Sequence, residues 1–435
     1  MPIVYILFRE KMLKTLFIFL FFSISFAQEI FSLEDCIKLG IEKNPNLKIS
    51  RLNLINAKQD KKNSFSSILP QIGVSFNNNQ QGSYTSYQYG IRVPESTYFS
   101  NSIYLNQKIY DGGNWWNQIS LYDKLYNQSY QNTESIKNLV VLNIKKAFFE
   151  YLKNKELYEV SKKQLELSEQ QLERVQRQFE VEAVAKTDLL KQQVLLGQVK
   201  VQLLNQNASL LNSRKILAQT IGFDSNKEFD VIDENPKSNI IEETKEQLWD
   251  FVLQKNPDII QKKNQIIISK IQVKIAKSQF YPSISANMGY GGSADEFDLL
   301  YSDVDKYWQG NMGISINLPI FSGRQRSVQV QKSKINLDIS NVDFERYLSQ
   351  TKTIYENYYQ LWSNINQTIP IFMETKISAE EDLRLVQERY NLGAATILDL
   401  LNAQVSLISA NSSLVRSNYD EKILRAELNA LANRN

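Results

Sequence analysis

One motif occurs twice in this chain, as QFEVEAVAKTDLLKQQ at Gln178–Gln193 and as RYNLGAATILDLLNAQ at Arg389–Gln404, 211 residues later. A second pair keeps nearly the same register, because EKNPNL (Glu42–Leu47) is followed by QKNPDI (Gln254–Ile259) at an offset of 212. Self-similarity at a fixed offset is the signature of tandem repeats. We therefore predict two structural repeats joined by a linker: residues 28–225, linker 226–243, and residues 244–435.

The N-terminus has the order of a secretory signal. Lys11 and Lys14 precede an apolar run that ends in Ser25-Phe26-Ala27, which gives the charged, apolar and small-residue regions of a signal peptide. The apolar run is shorter than the roughly 20 residues that a spanning helix needs. We predict a signal peptide over residues 1–27 and an exported protein, with translation starting at Met1 or Met12. The alternative is a buried N-terminal helix.

The composition excludes most catalytic and metal chemistry. Histidine is absent and Cys36 is the single cysteine, so His-based catalysis, His or thiolate metal sites and internal disulfides are all ruled out. The 50 basic and 47 acidic side chains give a formal charge of only +3, whereas nucleic-acid binding needs clustered basic residues. We expect no enzyme, no cofactor, no metal site and no nucleic-acid partner, and we interpret Cys36 as a small buried side chain.

Four segments alternate between apolar and polar residues: about 70–82, 99–110, 282–292 and 310–321. In the last of them Met312, Ile314 and Ile316 alternate with Gly313 and Ser315. Segments of about ten residues with this period are typical of transmembrane β-strands. The alternative is a soluble sheet with one wet face. Aromatic residues where the strands end predict a membrane-interface girdle, formed by Tyr110, Trp115, Trp116, Tyr281 and Phe321.

Long helices occupy most of the remaining sequence. Asn114–Glu180 contains neither Gly nor Pro, and a helix of this length would span roughly 100 Å. Its counterpart, Arg324–Leu392, carries Pro370, which predicts a kink or a local break. The returning helices repeat leucine every seven residues, which favours coiled-coil packing. We predict antiparallel helical hairpins over 114–221 and 324–433, and one helix ahead of each strand pair, over Leu33–Ser67 and Lys245–Phe280.

Four strands cannot close a barrel alone. Unpaired backbone groups cost several kcal/mol each in lipid, so several chains must contribute strands. Eight strands from two chains leave an interior filled by side chains, whereas twelve from three chains leave a water-filled lumen. Polar residues on one strand face, such as Ser75, Asn106 and Asn287, favour the lumen. The predicted fold class is an α+β membrane protein with four transmembrane strands per chain in a shared 12-stranded barrel, plus coiled-coil helices that form a periplasmic tunnel.

This pattern resembles the TolC-like outer membrane efflux protein family. The resemblance covers essentially the whole mature sequence and rests on the duplicated order of helix, two strands and hairpin, on the KNP segments at Lys43–Pro45 and Lys255–Pro257, and on the two motifs at 178–193 and 389–404. It implies a homotrimer in the outer membrane of a Gram-negative-type bacterium, with its helices in the periplasm. It also implies a periplasmic adaptor (membrane fusion) protein and an inner-membrane pump of the RND, ABC or similar class as partners, beside outer membrane lipid. The function implied is an exit duct for tripartite efflux or type I secretion.

The resemblance further implies that the periplasmic mouth closes at the helix tips. Thr187 and Asp188 match the family's acceptor pair, Tyr390 the tyrosine that bonds toward it, Gly393 the turn, and Asp399 an acidic residue at the entrance. This sequence departs from the family pattern at two positions: Ala395 replaces the gating arginine, and Asn402 replaces an inner acidic residue. A ring of neutral Asn402 side chains would neither attract cations nor repel itself. The departures imply a weaker or differently placed closure.

Structural roles stand beside these functional ones. Thr187, Asp188 and Asp399 lie at helix starts, where such residues often serve as caps. The alternative role for Tyr390 is packing in a hairpin seam. The acidic loop 295–305 lacks the spacing of a known calcium loop and is interpreted as a solvated surface loop. For the whole chain, the alternative function is a structural or adhesive coiled-coil protein anchored in the outer membrane.

Overall fold

The structure is a computed structural model of the 435-residue chain, and it describes residues 29–86, 90–93, 95–224, 228–233 and 243–434. The predicted signal peptide and most of the predicted linker lie outside the described residues. The helices are α1 Leu33–Lys43, α2 Pro45–Asn63, α3 Asn114–Glu180, α4 Lys186–Ile221, α5 Lys245–Lys255, α6 Pro257–Ser278, α7 Leu299–Ser302, α8 Val304–Tyr307, α9 Gln325–Asn391 and α10 Ile397–Leu431. The strands are β1 Glu29–Phe31, β2 Gln71–Gln81, β3 Tyr84–Ser86, β4 Ile91–Val93, β5 Ser96–Asp111, β6 Phe229–Val231, β7 Ser283–Ala294 and β8 Trp308–Asn317.

The described residues divide into two compact units, and each unit takes segments from both sequence repeats. The first consists of the described parts of Met1–Asn44, Val140–Glu242 and Trp362–Ala426. The second consists of those of Pro45–Leu139, Glu243–Leu361 and Glu427–Asn435.

The first unit is built on tightly packed helices and one short parallel sheet. Gly40 of α1 lets Ile144 of α3 approach so closely that an added Cβ would lie 2.4 Å from the Ile144 side chain. Phe148 and Leu217 are fully buried nearby. β1 pairs with β6 in parallel. Burial raises the pKa of the Cys36 thiol to about 12, so this cysteine stays protonated and unreactive at neutral pH.

The second unit contains a four-stranded antiparallel sheet with the order β2-β5-β7-β8. β2 pairs with β5, and β7 with β8, so each repeat contributes one hairpin. The two hairpins join through β5 and β7. The pairing leaves β2 and β8 at the edges, each with one side unpaired within the described residues.

Each KNP segment marks a break between two helices. The sequence predicted one helix over Leu33–Ser67 and one over Lys245–Phe280, but the structure ends α1 at Lys43 and α5 at Lys255. In the second copy the Asn256 side chain accepts hydrogen bonds from the backbone N–H groups of Asp258 and Ile259, at 3.0 and 3.1 Å, and Pro257 takes the first position of α6. An N-cap followed by proline starts a new helix.

The strands differ from the sequence expectation at their ends. β8 stops at Asn317 rather than near 321, because Pro319 has no N–H to donate to a ladder. β5 begins at Ser96 rather than near residue 99, and β7 reaches Ala294 rather than residue 292, so both strands extend beyond the predicted bounds. A register shift between Lys108 and Tyr110 marks a bulge in β5, beyond which Tyr110 lies opposite Ile284.

The proline of the second long helix does not break it. α9 runs without interruption from Gln325 to Asn391 through Pro370. The prediction of a local break is therefore wrong.

Among the described helices, none combines the length and the apolar character that crossing a membrane requires.

Candidate functional site: the hairpin tips and the sheet wall

Both helical hairpins turn through the same backbone geometry. α9 is followed by Gly393 with a φ of 71°, and α3 by Glu182 with a φ of 58°. After each, a backbone N–H reaches back to a helix carbonyl at 2.8 Å, from Ala394 to Arg389 and from Ala183 to Gln178. Positive φ is favourable for glycine and costs an L-residue roughly 1–2 kcal/mol. The first turn therefore carries backbone strain that the second avoids.

This difference predicts opposite effects of exchange at the two turns. We expect Glu182→Gly to stabilise the first tip by about 1 kcal/mol, and Gly393→Ala to destabilise the second by about 1–2 kcal/mol. An added Cβ at Gly393 meets nothing within 4 Å, so the second effect is purely conformational. Amide hydrogen exchange at each tip measures both changes. Equal protection in the two variants and the parent would contradict the left-handed turns.

An apolar cluster joins the two hairpin tips. Val175, Tyr390, Ile397 and Leu400 are buried together, and Ala395 packs against them. Beside this cluster lies a groove of about 810 Å³. Of the predicted site residues, the groove brings together Asp188, Tyr390 and Gly393.

Tyr390 faces Asp188 without bonding to it. The Tyr390 side chain is buried, and its hydroxyl has no hydrogen-bond partner among the described residues. Burial, and next the negative charge of Asp188, raise the pKa of Tyr390. The carboxylate of Asp188 lies 3.9 Å from the Lys191 ammonium. Leaving a buried hydroxyl without a hydrogen-bond partner costs about 1–3 kcal/mol of stability. Formation of a hydrogen bond by the Tyr390 hydroxyl would therefore be favourable.

The other predicted tip residues lie outside the groove. Thr187 is exposed in the first turn of α4, where Ala185 is the N-cap, so neither Thr187 nor Asp188 caps that helix. Asp399 forms a capping box with Thr396: its carboxylate accepts from the Thr396 N–H at 2.8 Å, and the Thr396 hydroxyl accepts from the Asp399 N–H at 3.2 Å. Hydrogen bonds that the Thr396 N–H, and next the Thr396 hydroxyl, donate to the carboxylate lower the pKa of Asp399. Asn402 is exposed on α10.

The first hairpin has a polar core segment close to its tip, which was not among the predicted site residues. Between the buried residues Leu157 and Val175, four successive core positions of α3 are polar and buried: Ser161, Gln164, Ser168 and Gln171. The Nε2 atoms of Gln164 and Gln171 and the Ser168 hydroxyl have no partner among the described residues. From α4, Gln192 donates to the Ser168 carbonyl at 3.4 Å. The heptad spacing of these residues was the available signal. Apolar burial contributes little here to holding α3 and α4 together.

The four-stranded sheet has one apolar and one polar face. Ile72, Val74, Met312, Ile314 and Ile316 are at least 69% exposed, although all are apolar. The register places them in rows with Ile103, Leu105, Met288 and Ile284. The opposite face carries cross-strand polar pairs such as Ser75 and Ser102, whose hydroxyls lie 2.7 Å apart. Exposed apolar rows on a continuous sheet indicate a surface that another apolar phase covers.

The predicted interface aromatics lie at one end of this sheet. Tyr110 is at the end of β5, and the rings of Trp115 and Trp116 stack at 4.7 Å where α3 begins. Tyr281 precedes β7 and lies against Gly112, whose added Cβ would be 2.8 Å from it. Phe321 follows β8 and is 85% exposed.

The carboxylates of the acidic loop 295–305 do not form a cluster. Within the described residues, no three Asp, Glu, Cys or His side chains come together in a way that could hold a metal ion. The loop is instead partly folded, as α7 and α8, and Leu300 is fully buried.

A family comparison matches both repeats. The model of the family described as "Outer membrane efflux protein" matches residues 37–223 and 248–434. The chain belongs to the outer membrane efflux protein family.

Individual relatives agree with this family. The chain is 23% identical over 368 residues to the outer membrane protein TolC of Vibrio cholerae, covering 82% of this chain and 80% of the relative. It is also 23% identical to TolC of Escherichia coli, with 92% and 81% covered. The solved structure of VceC from Vibrio cholerae shares the fold with a TM-score of 0.81 at 18% identity, over 92% of this chain and 96% of that one.

Membership of the outer membrane efflux protein family confirms the predicted fold class and the two tandem repeats. It also confirms that the protein is not an enzyme, since the family consists of transport channels. The roles of the tip residues and of the interface aromatics stay predictions.

Proposed function

We propose that the chain is one third of an outer membrane exit duct, in which three copies share a 12-stranded barrel and pass substrates outward from a periplasmic adaptor and an inner-membrane pump. One observation carries the proposal: the four-stranded sheet is open at β2 and β8 within the described residues, while one of its faces is apolar and exposed. In lipid each unpaired backbone group costs several kcal/mol. Pairing β8 of one copy with β2 of the next removes both edges.

The direction of the strands supports this closure. Neighbours in the order β2-β5-β7-β8 are all antiparallel, so β2 and β8 run in opposite directions. The next copy's β2 can therefore continue the same antiparallel pattern beside β8. Three copies give twelve strands, which enclose a water-filled lumen lined by the polar sheet face.

Purified mature protein tests the proposal. We expect particles in detergent whose protein mass, by light scattering, is three chains, and we expect discrete ion-conducting steps in planar bilayers. Non-conducting single chains would overturn the duct. A structural or adhesive protein of the outer membrane predicts membrane anchoring without conductance, so the same experiment separates the two functions.

We further propose that the tips close the periplasmic mouth through the groove that holds Tyr390 and Asp188. The Tyr390 hydroxyl is buried without a partner, and Asp188 is the nearby acceptor in the same groove. Ala395 packs in the apolar cluster instead of presenting a guanidinium. Closure of the periplasmic mouth therefore depends on apolar packing and on hydrogen bonds in which at most one partner is charged.

The pair Tyr390→Phe and Asp188→Ala tests this gate. We expect a higher open probability, because the double variant removes the donor and the acceptor while the phenyl ring keeps the apolar packing. Single-channel recording of the trimer measures it. The control is Val181→Ala, at a side chain that is 73% exposed on the same tip. Identical open probability in the double variant and the parent would show that Tyr390 only packs in the hairpin seam and does not close the mouth.

A further inference from the structure

The acidic loop between β7 and β8 is held against the sheet by aromatic contacts. The Phe297 ring lies 5.9 Å from that of Phe76 and 5.8 Å from that of Phe99. Tyr301 accepts a hydrogen bond from the Asn101 amide at 2.9 Å. The Trp308 indole donates to the Leu300 carbonyl at 2.7 Å. The loop is therefore a folded element with a defined position against the sheet.

The loop packs on the apolar face of the sheet. In β2, Phe76 follows Ile72 and Val74 at alternate positions, and in β5, Phe99 and Asn101 precede Ile103 in the same way. Trp308 lies over Gly292, where an added Cβ would be 2.6 Å from the indole. All of these contacts are on the side opposite Ser75 and Ser102, which line the polar face. A lid over the lumen would instead contact the polar face.

The position along the strands matches a membrane boundary. Tyr110 pairs with Ile284 and Phe99 with Ala294, ten residues apart on β7. At about 3.4 Å per residue this is about 34 Å along the strand, or about 26 Å along the barrel axis for strands tilted by about 40°. The apolar band of an outer-membrane barrel is about 25 Å tall. The distance along the barrel axis from Tyr110 to the loop therefore equals about the height of the apolar band.

We propose that residues 295–307 form an anchor in the lipid interface on the outer wall of the barrel, at the extracellular boundary of the membrane. The proposal rests on the proposed duct. Phe297, Tyr301 and Val304 are each 40% or more exposed on the loop. They present apolar surface to the lipid, and tyrosine, as at Tyr301, is enriched at the lipid headgroup level. The loop also covers Asn101, a polar residue on the lipid-facing side. Its carboxylates, from Asp295 to Asp305, are exposed and stay in the headgroup water.

Spin labels on the trimer test the anchor. The parent is the full chain with Cys36→Ala, and single labels are placed at Val304→Cys and, as the matched control, at Asn77→Cys. Asn77 neighbours Phe76 but belongs to the polar face. In phosphatidylcholine vesicles we expect the label at 304 to collide mainly with oxygen, which enriches in lipid, and the label at 77 mainly with a water-soluble nickel chelate. A label at 304 with the accessibility of the label at 77 would overturn the proposal.

Release of the loop separates an anchor from a lid. We expect Phe297→Ser with Tyr301→Ser to make the label at 304 accessible to the nickel chelate while single-channel conductance stays that of the parent. Increased conductance would show that the loop covers the lumen and would overturn the anchor while leaving the duct intact. Single chains without conductance would overturn the duct, and the anchor with it.

Discussion

Arginine in place of Met312 is expected to prevent assembly of the trimer in the membrane. Met312 is 78% exposed on the apolar face, near the middle of the apolar band, and pairs with Met288. Arginine on the lipid face of a barrel costs about 2–4 kcal/mol near the bilayer midplane. Each trimer would carry three copies of this charge. Refolding into vesicles, followed by electrophoresis without heating, measures the assembled fraction.

The neighbouring residue supplies the control for this charge. Asn311 is exposed on the opposite face of β8 and pairs with Gly289. Asn311→Arg introduces the same side chain one position earlier, where the proposed lumen is aqueous. We expect normal assembly and a shift of ion selectivity toward anions, because three arginines then line the pore. Equal loss of assembly in both variants would contradict the assignment of the faces.

Leu400→Ala is expected to loosen the hairpin tips. Leu400 is fully buried in the cluster with Val175, Tyr390 and Ile397. Truncation of a buried leucine to alanine costs about 2–5 kcal/mol. The polar core of Ser161, Gln164, Ser168 and Gln171 gives little apolar support further along the first hairpin, so the first tip, which contributes Val175, depends strongly on this cluster. Trypsin should cut beside Lys186 and Arg389 at least about tenfold faster in the variant, since local opening governs cleavage.

Leu398 offers the matched substitution two residues away. Its side chain is 56% exposed, so Leu398→Ala removes the same atoms with little loss of burial. We expect cleavage rates near those of the parent for Leu398→Ala. Faster cleavage of both variants, or of neither, would show that the cluster does not hold the tips.

The periodic parts of the fold were predictable from sequence. Strict alternation in segments such as Met312–Ile316 gave the strands and their two faces, because each face of a sheet meets one solvent. The absence of Gly and Pro over Asn114–Glu180 gave the long helix. The break at Asn256-Pro257 had a readable signal too, since asparagine before proline is a cap followed by a first helical position.

The rest depended on contacts between distant segments. The two turns share one geometry although one carries Glu182 and the other Gly393, so residue type alone did not reveal the strained copy. The loop after β7 looked solvated because of its carboxylates, whereas Phe297 and Leu300 seat it on the sheet. The predicted site was only partly assembled: Asp188, Tyr390 and Gly393 share a groove, while Asp399 caps a helix.

Disulfide trapping between the two edge strands tests the shared barrel most directly. In a Cys36→Ala chain, Ser75→Cys on β2 is combined in turn with cysteine at Asn311, Gly313, Ser315 and Asn317 on the polar side of β8. Within one chain, β5 and β7 separate β2 from β8, which puts them about 14 Å apart, whereas a disulfide joins Cα atoms about 4.4–6.8 Å apart. Any disulfide must therefore join two copies. We predict that oxidation in the membrane, followed by denaturing electrophoresis, gives a ladder that ends at three chains for at least one pair, and that Ser75→Cys alone gives none. Single chains for every pair, or a ladder that continues beyond three, would contradict the shared 12-stranded barrel.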